Sequence, residues 1–145
     1  MNLLFELDNL PFPPSVNGCY KTVIMKGKPR RVPSKELKEF KEGIEEYRLQ
    51  NLRLLAKGHK LLFGKKLYAE FIFKIQLRRI IKIQKKNFGE VKRFDVSNRI
   101  KNIEDGVFEI LNIDDSVNWK VSAEKYGVKM IEEQCVKVRF YEYSG

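Results

Sequence analysis

Residues 67–77, LYAEFIFKIQL, alternate with a period of two, so that Leu67, Ala69, Phe71, Phe73, Ile75 and Leu77 share one face. That pattern describes a strand with one strongly buried side, with an extension toward Ile83 left open. A strand of this kind needs sheet neighbours and an apolar layer to cover it. At 145 residues the chain is long enough for one such core and too short for two. Neither a repeat, a low-complexity stretch nor a linker divides it, so residues 1–145 are expected to form a single domain.

The covering layer is legible as helices. Ser34 stands in N-cap position after Pro33, and Leu37, Phe40, Ile44 and Tyr47 then recur at spacings of three and four. Leu52 and Leu55 extend the stripe, predicting one long amphipathic helix that ends near Lys57-Gly58. A second helix is predicted over 97–111, where Ile100, Ile103, Val107, Ile110 and Leu111 fall in one angular sector.

The remaining segments read as strands. Residues 2–8 form a short opening strand, with Leu3, Phe5 and Leu7 opposite Leu4 and Glu6, stopped by Pro11-Phe12-Pro13-Pro14. Residues 20–32 read as a hairpin around Lys26-Gly27-Lys28-Pro29. Two further strands are expected near 119–126 and 133–142. The order strand, hairpin, helix, strand, helix, strand, strand predicts an α+β domain with two main helices on a mixed, mostly antiparallel sheet.

Composition narrows the function classes. The chain carries 29 Lys+Arg against 19 Asp+Glu, a net charge of +10, with 43% hydrophobic residues. It is too apolar for disorder, and no apolar run approaches the roughly 20 residues of a membrane span. The N-terminus MNLLFELDNL is acidic where a signal peptide is basic, so a cytoplasmic setting is expected. Cys19 and Cys135 are too few for a disulfide framework and read as reduced thiols. The single histidine, His59, falls in a predicted turn as a bystander and makes a Ser-His-Asp triad improbable. A polyanion is the natural partner of such a charge.

The distribution of charge is more informative than its sum. Residues 78–101 hold nine bases (Arg78, Arg79, Lys82, Lys85, Lys86, Lys92, Arg93, Arg99, Lys101) against Glu90 and Asp95. Residues 102–119 hold five acids (Glu104, Asp105, Glu109, Asp114, Asp115) and no base. Carboxylates repel phosphates unless a divalent cation stands between them. Hard oxygen ligands suit Mg²⁺ or Mn²⁺, which can neutralise a scissile phosphate and activate water. On helix 97–111, Asn98, Lys101 and Asp105 share a polar sector, with Asp95 just before it and Asp114-Asp115 just after. The alternative is a solvated helix face, with Asp95 as a cap and Lys101–Asp105 as a surface pair.

At these residues the chain resembles the RusA family of Holliday-junction resolvases. The family pattern is Asp-x-Asp-Asn-x-x-Lys, an Asp one turn later, and an Asp-Asp pair about ten residues on. Here it reads Asp95-Val96-Ser97-Asn98-Arg99-Ile100-Lys101, then Asp105, then Asp114-Asp115. The opening Pro13-Pro14-Ser15-Val16-Asn17, followed by Tyr20 and basic residues, is similar to the family's Pro-Pro-Ser-x-Asn opening, and the likeness covers almost the whole chain.

The resemblance implies a RusA-like fold and a homodimeric, Mg²⁺-dependent endonuclease (Mn²⁺ as the alternative ion) that cuts four-way DNA junctions by paired symmetric nicks, in recombination and repair, without an organic cofactor. By position, Asp95, Lys101 and Asp115 would be catalytic, and Asp95, Asp114 and Asp115 metal-binding. Asn98 and Asp105 would support them. Ser97 is the departure, standing where the family's type member has a second catalytic Asp. Its neutral hydroxyl removes one charge from the site, which leaves open weaker metal affinity, a changed ligand set, or junction binding without cutting. Arg78, Arg79, Lys82, Lys85, Lys86, Lys92, Arg93 and Arg99 would track phosphates. Tyr20, Phe12 and Phe88 either stack on bases or pack, and Trp119 is expected to anchor the sheet. The competing class is a structure-selective nucleic-acid-binding module that does not cut.

Overall fold

The alternating segment forms strand β4, Leu67–Gln76, and Leu67, Ala69, Phe71, Phe73 and Ile75 are all fully buried. Truncating a buried Phe here to Ala would cost about 3–5 kcal/mol through reduced burial and the cavity left behind. The computed structural model describes residues 2–15, 19–76 and 97–145. Leu77 and the extension toward Ile83 lie outside them.

Nine elements follow in chain order: β1 (Leu3–Leu10), β2 (Tyr20–Met25), β3 (Lys28–Pro33), α1 (Lys35–Gln50), α2 (Leu52–Leu62), β4, α3 (Ser97–Leu111), β5 (Asn118–Val128) and β6 (Cys135–Glu142). The fold is a single α+β domain. Its main sheet has the order β1-β6-β4-β5, with β6 antiparallel to both β1 and β4 and β5 parallel to β4. A parallel pair needs a crossover, and α3 lies in the connection between β4 and β5. That topology brings the start of β5 beside the start of β4, with Leu67 opposite Asn118.

The helices cover one face of the sheet. Ile103, Val107, Phe108, Ile110 and Leu111 of α3 are buried against it, and the Phe108 ring meets Phe140 edge-on at 5.7 Å. The α1 stripe of Leu37, Phe40, Ile44 and Tyr47 is buried as its spacing predicts, and Ser34 caps the helix by accepting from the Leu37 N–H at 3.3 Å. The Tyr47 hydroxyl donates to the Asp8 carbonyl at 2.8 Å, pinning α1 to β1.

Four sequence expectations need correction. The long helix is two helices, giving three α-helices among the described residues. At Asn51 the side-chain amide donates to the Tyr47 carbonyl at 2.8 Å and the backbone leaves helical geometry (φ −130°, ψ 32°), a local competition typical of Asn. Gly58 is not a helix end but an internal residue of α2. A Cβ there would collide with the Phe5 ring and come within 2.9 Å of Leu111 Cδ2, so glycine permits the close approach of α2 to β1 and α3. His59 is helical rather than in a turn, and its Nδ1–H donates to the Leu111 carbonyl at 2.9 Å, satisfying the end of α3. Trp119 is 59% exposed and stacks on Tyr143. It lies on β5, the strand at the edge of the sheet among the described residues.

The other face of the sheet is open and charged. Asp8 pairs with Lys74 at 3.2 Å, Glu6 with Lys137 and Arg139 at 3.6 and 3.4 Å, and Glu70 with Arg139 at 3.3 Å. β2 and β3 form their own two-stranded sheet. Their turn places Lys26 and Gly27 at φ 53° and 75°, the doubly positive geometry of a tight hairpin, which glycine adopts at no steric cost.

Candidate functional site

Helix α3 and the turn after it organise the site. The helix ends in a left-handed residue, Asn112 (φ 54°), and the Ile113 N–H reaches back to the Phe108 carbonyl at 3.1 Å, a reversal that satisfies the last carbonyls. The chain then enters a single 3-10 turn, Asp115–Val117, and passes directly into β5 at Asn118. The Asp114 carboxylate accepts the Ser116 backbone N–H at 2.9 Å, and that bond holds its pKa below the ordinary 3.8. Asp114 therefore caps the turn. Asp115 follows it, exposed.

This short connection returns Asp115 to the flank of the helix that precedes it. Burial, then the negative charge of Asp115, raises the Asp105 pKa above its ordinary 3.8, against the opposing pull of Lys101. Glu104 is raised above 4.5, first by burial and then by Asp115 and Asp105. Among the described residues none of these three carboxylates has a salt-bridge partner. Beside Glu104 sits Asn118. Its amide eases the Glu104 pKa downward, yet its oxygen and nitrogen are both buried with no hydrogen bond of proper geometry. A buried amide left in that condition is costly.

The N-terminal proline segment meets α3 at the other end of the site. Arg99 donates to the Pro13 carbonyl at 2.6 Å and its guanidinium lies 5.4 Å over the Phe12 ring. Asn102 donates to the Pro14 carbonyl at 3.1 Å and to Cys19 Sγ at 3.0 Å. Both halves of the sequence pattern, more than 80 residues apart in the chain, are thus in contact. Arg99 acts here as a tie between segments. Phe12 packs edge-on against Phe73 at 5.9 Å. A groove of about 470 Å³ runs between α1 and α3, with Asp105, Glu109 and Asn102 on one side, Lys41 and Arg48 on the other, and Tyr20 at its edge.

The sequence-selected residues divide accordingly. Asp105 and Asp115 come together, with Lys101 near enough to act on Asp105, and Asp114 sits in the same turn engaged as a cap. Asp95, Arg78, Arg79, Lys82, Lys85, Lys86, Phe88, Lys92 and Arg93 lie outside the described residues, as do the side chains of Ser97 and Asn98. Glu104 and Asn118 were not selected. Glu104 was visible only as one member of an acidic run, and no local pattern marks Asn118, which the parallel β4–β5 register carries to the helix.

Among the described residues no three carboxylate, thiol or imidazole groups gather tightly enough to hold a metal ion by themselves. Mg²⁺ does not require this, since it is commonly held by one or two carboxylates and completes its shell with water and substrate phosphate. The donor set of Asp105, Asp115 and Glu104, with the unpaired Asn118 amide oxygen beside it, is all oxygen and mutually repulsive, and so fits a hard cation. No helix among the described residues is long and apolar enough to cross a membrane. Set against models of known protein families the chain matches none, and no curated protein matches it.

Proposed function

We propose that this chain is a metal-dependent endonuclease that resolves four-way DNA junctions by paired symmetric nicks, acting as a homodimer in the cytoplasm. The reading rests on the sequence pattern from Asp95 to Asp115 and is supported by the arrangement of the described part of it, Lys101, Asp105 and Asp115. One observation carries it: Asp105, Glu104 and Asp115 lie within electrostatic reach of one another and, among the described residues, none of them is in a salt bridge, in a chain of net charge +10. A phosphate-binding surface gains nothing from such carboxylates unless a cation occupies them. Mg²⁺ or Mn²⁺ bound at Asp95, Asp115 and their neighbours would supply charge neutralisation at a phosphate and a water of lowered pKa.

The chain's own residues then have separable tasks. Asp115 and Asp105 would hold the cation, and Lys101, on the same helix face as Asp105, would offer a fixed positive charge for a developing oxyanion. Asp114 holds the turn that presents Asp115. Arg99 and Asn102 fix the proline segment against the helix that bears Lys101.

Incubation of a labelled four-way junction with the protein in Mg²⁺, Mn²⁺ or EDTA tests this. Symmetric, metal-dependent nicks that disappear in Asp115→Asn are expected. The second reading, a junction-binding module that does not cut, draws on Ser97 and on the engagement of Asp114 as a cap. Tight binding without product in either metal would favour it, and activity regained in Ser97→Asp would assign the cause.

A further inference from the structure

We propose that the β2–β3 hairpin is a DNA-gripping arm whose Lys21, Lys26, Lys28 and Arg30 engage the phosphates of a duplex lying against the α3 site. The inference rests on the branched-DNA reading and adds a contact surface to it. Residues 20–33 carry five cations and no acid. Among the described residues none of the five is in a salt bridge.

The register decides where the charges point. Val23 pairs with Arg30, Met25 with Lys28 and Lys21 with Val32. Paired residues share a face and alternate residues along a strand do too, so Lys21, Lys28 and Arg30 lie on one face, with Lys26 at the turn. Arg31 is on the opposite face, stacked 4.8 Å over the Tyr20 ring. A ribbon built only for stability would set opposite charges across from one another, as the main sheet does. Like charges concentrated on a separate two-stranded unit repel, and a polyanion relieves the repulsion.

Shape and place agree. Among the described residues the hairpin is hydrogen-bonded to no strand of the main sheet, and a two-stranded ribbon fits the major groove of a duplex. Just before the hairpin turn two apolar side chains are exposed, Ile24 at 80% and Met25 at 51%, surface that a groove wall would cover. Its base is fixed beside the carboxylates. The Ser34 N–H closes it on the Cys19 carbonyl at 2.7 Å, and Tyr20 lines the groove that contains Asp105. A duplex held along the arm is thereby delivered to α3.

The test is anisotropy of a labelled four-way DNA junction titrated with the full chain in EDTA, across a salt series. Lys26→Ala/Lys28→Ala/Arg30→Ala should weaken binding at least tenfold near physiological salt and flatten the log K against log salt slope by about 2–3, roughly 0.9 for each phosphate no longer neutralised. Arg53→Ala/Lys57→Ala/Lys60→Ala removes the same charge from α2 and should change both quantities far less. Ile24→Ser should weaken binding with the slope unchanged. Should the arm triple lose its fold by circular dichroism, Lys28→Ala alone carries the test, with a slope change of about 0.9. Wild-type affinity and slope in the arm variant, or equal weakening by both triples, would overturn the arm. Absence of any junction binding by the wild type would remove the branched-DNA reading together with it.

Discussion

Acidic residues occupy two regions of this molecule in opposite ways. On the open face of the sheet, Glu6, Asp8 and Glu70 each stand against a Lys or Arg from another strand. Burial works to raise the Asp8 pKa, but the Asn9 backbone N–H and the Lys74 ammonium outweigh it and hold the carboxyl below 3.8. Around α3 the acids come from one stretch of chain, and burial first and their mutual repulsion second raise Glu104 and Asp105 instead. The first arrangement neutralises charge between strands that are distant in sequence, and it serves the fold. The second retains carboxylates that no described base joins in a salt bridge, and that is where function is to be sought.

The sharpest way to break the contrast is through activity. Asp115→Asn or Lys101→Ala should lower metal-dependent junction cleavage by more than about 100-fold, with junction affinity in EDTA close to wild type. A loss of cleavage and binding together, with a lowered Tm, would instead make the α3 acids a fold device. Lys74→Met addresses the paired region. Both partners are partly solvated, so at pH 7 it should cost only about 0.5–1 kcal/mol, a few degrees in Tm. Because the Asp8 carboxyl is depressed in the folded state, that stabilisation is present above its ordinary 3.8 and is lost as pH falls through the folded value. The Tm difference should close in acid.

Glu104→Gln should act with the opposite sign and a smaller size. A raised folded pKa means the ionised form opposes folding, so stability falls as pH rises from 4.5 through the folded value. Without divalent cations the variant should gain about 1–2 °C at pH 7 after solvent screening, and nothing below pH 4.5. A destabilised Glu104→Gln would erase the distinction between the two regions. The smallest effect belongs to Asp114→Ser, which keeps a side-chain cap for the turn and should leave cleavage and Tm near wild type. Loss of cleavage there would make Asp114 a ligand as well.

Much of this architecture was legible before any coordinates. The alternation of 67–77, the Leu37-Phe40-Ile44-Tyr47 stripe and the span 97–111 are periodic signals written within single segments; the first and last became the strand and helix expected, with Leu77 outside the described residues, and the stripe became a helix that ends at Gln50. The break at Asn51 was missed because the apolar stripe continues through it as Leu52 and Leu55, whereas a side-chain hydrogen bond to Tyr47 turns the chain. His59 was misplaced because Gly58 reads as a helix stop in isolation. Only the nearness of Phe5 and Leu111 explains a glycine inside α2. At the site, Asp105 and Asp115 could be selected from their order in the chain, while Glu104 and Asn118 could not.

The sequence by itself determined the elements, the sign of the surface charge and the segment that bears the acids, since these depend on neighbours within a few residues. The tertiary structure decided the strand order β1-β6-β4-β5, the parallel seating of β5 on β4, the contact of Arg99 and Asn102 with the proline segment, and which acids are neutralised. Those outcomes follow from burying one apolar face of a four-stranded sheet, a requirement that residues distant in sequence satisfy jointly and that no single segment encodes.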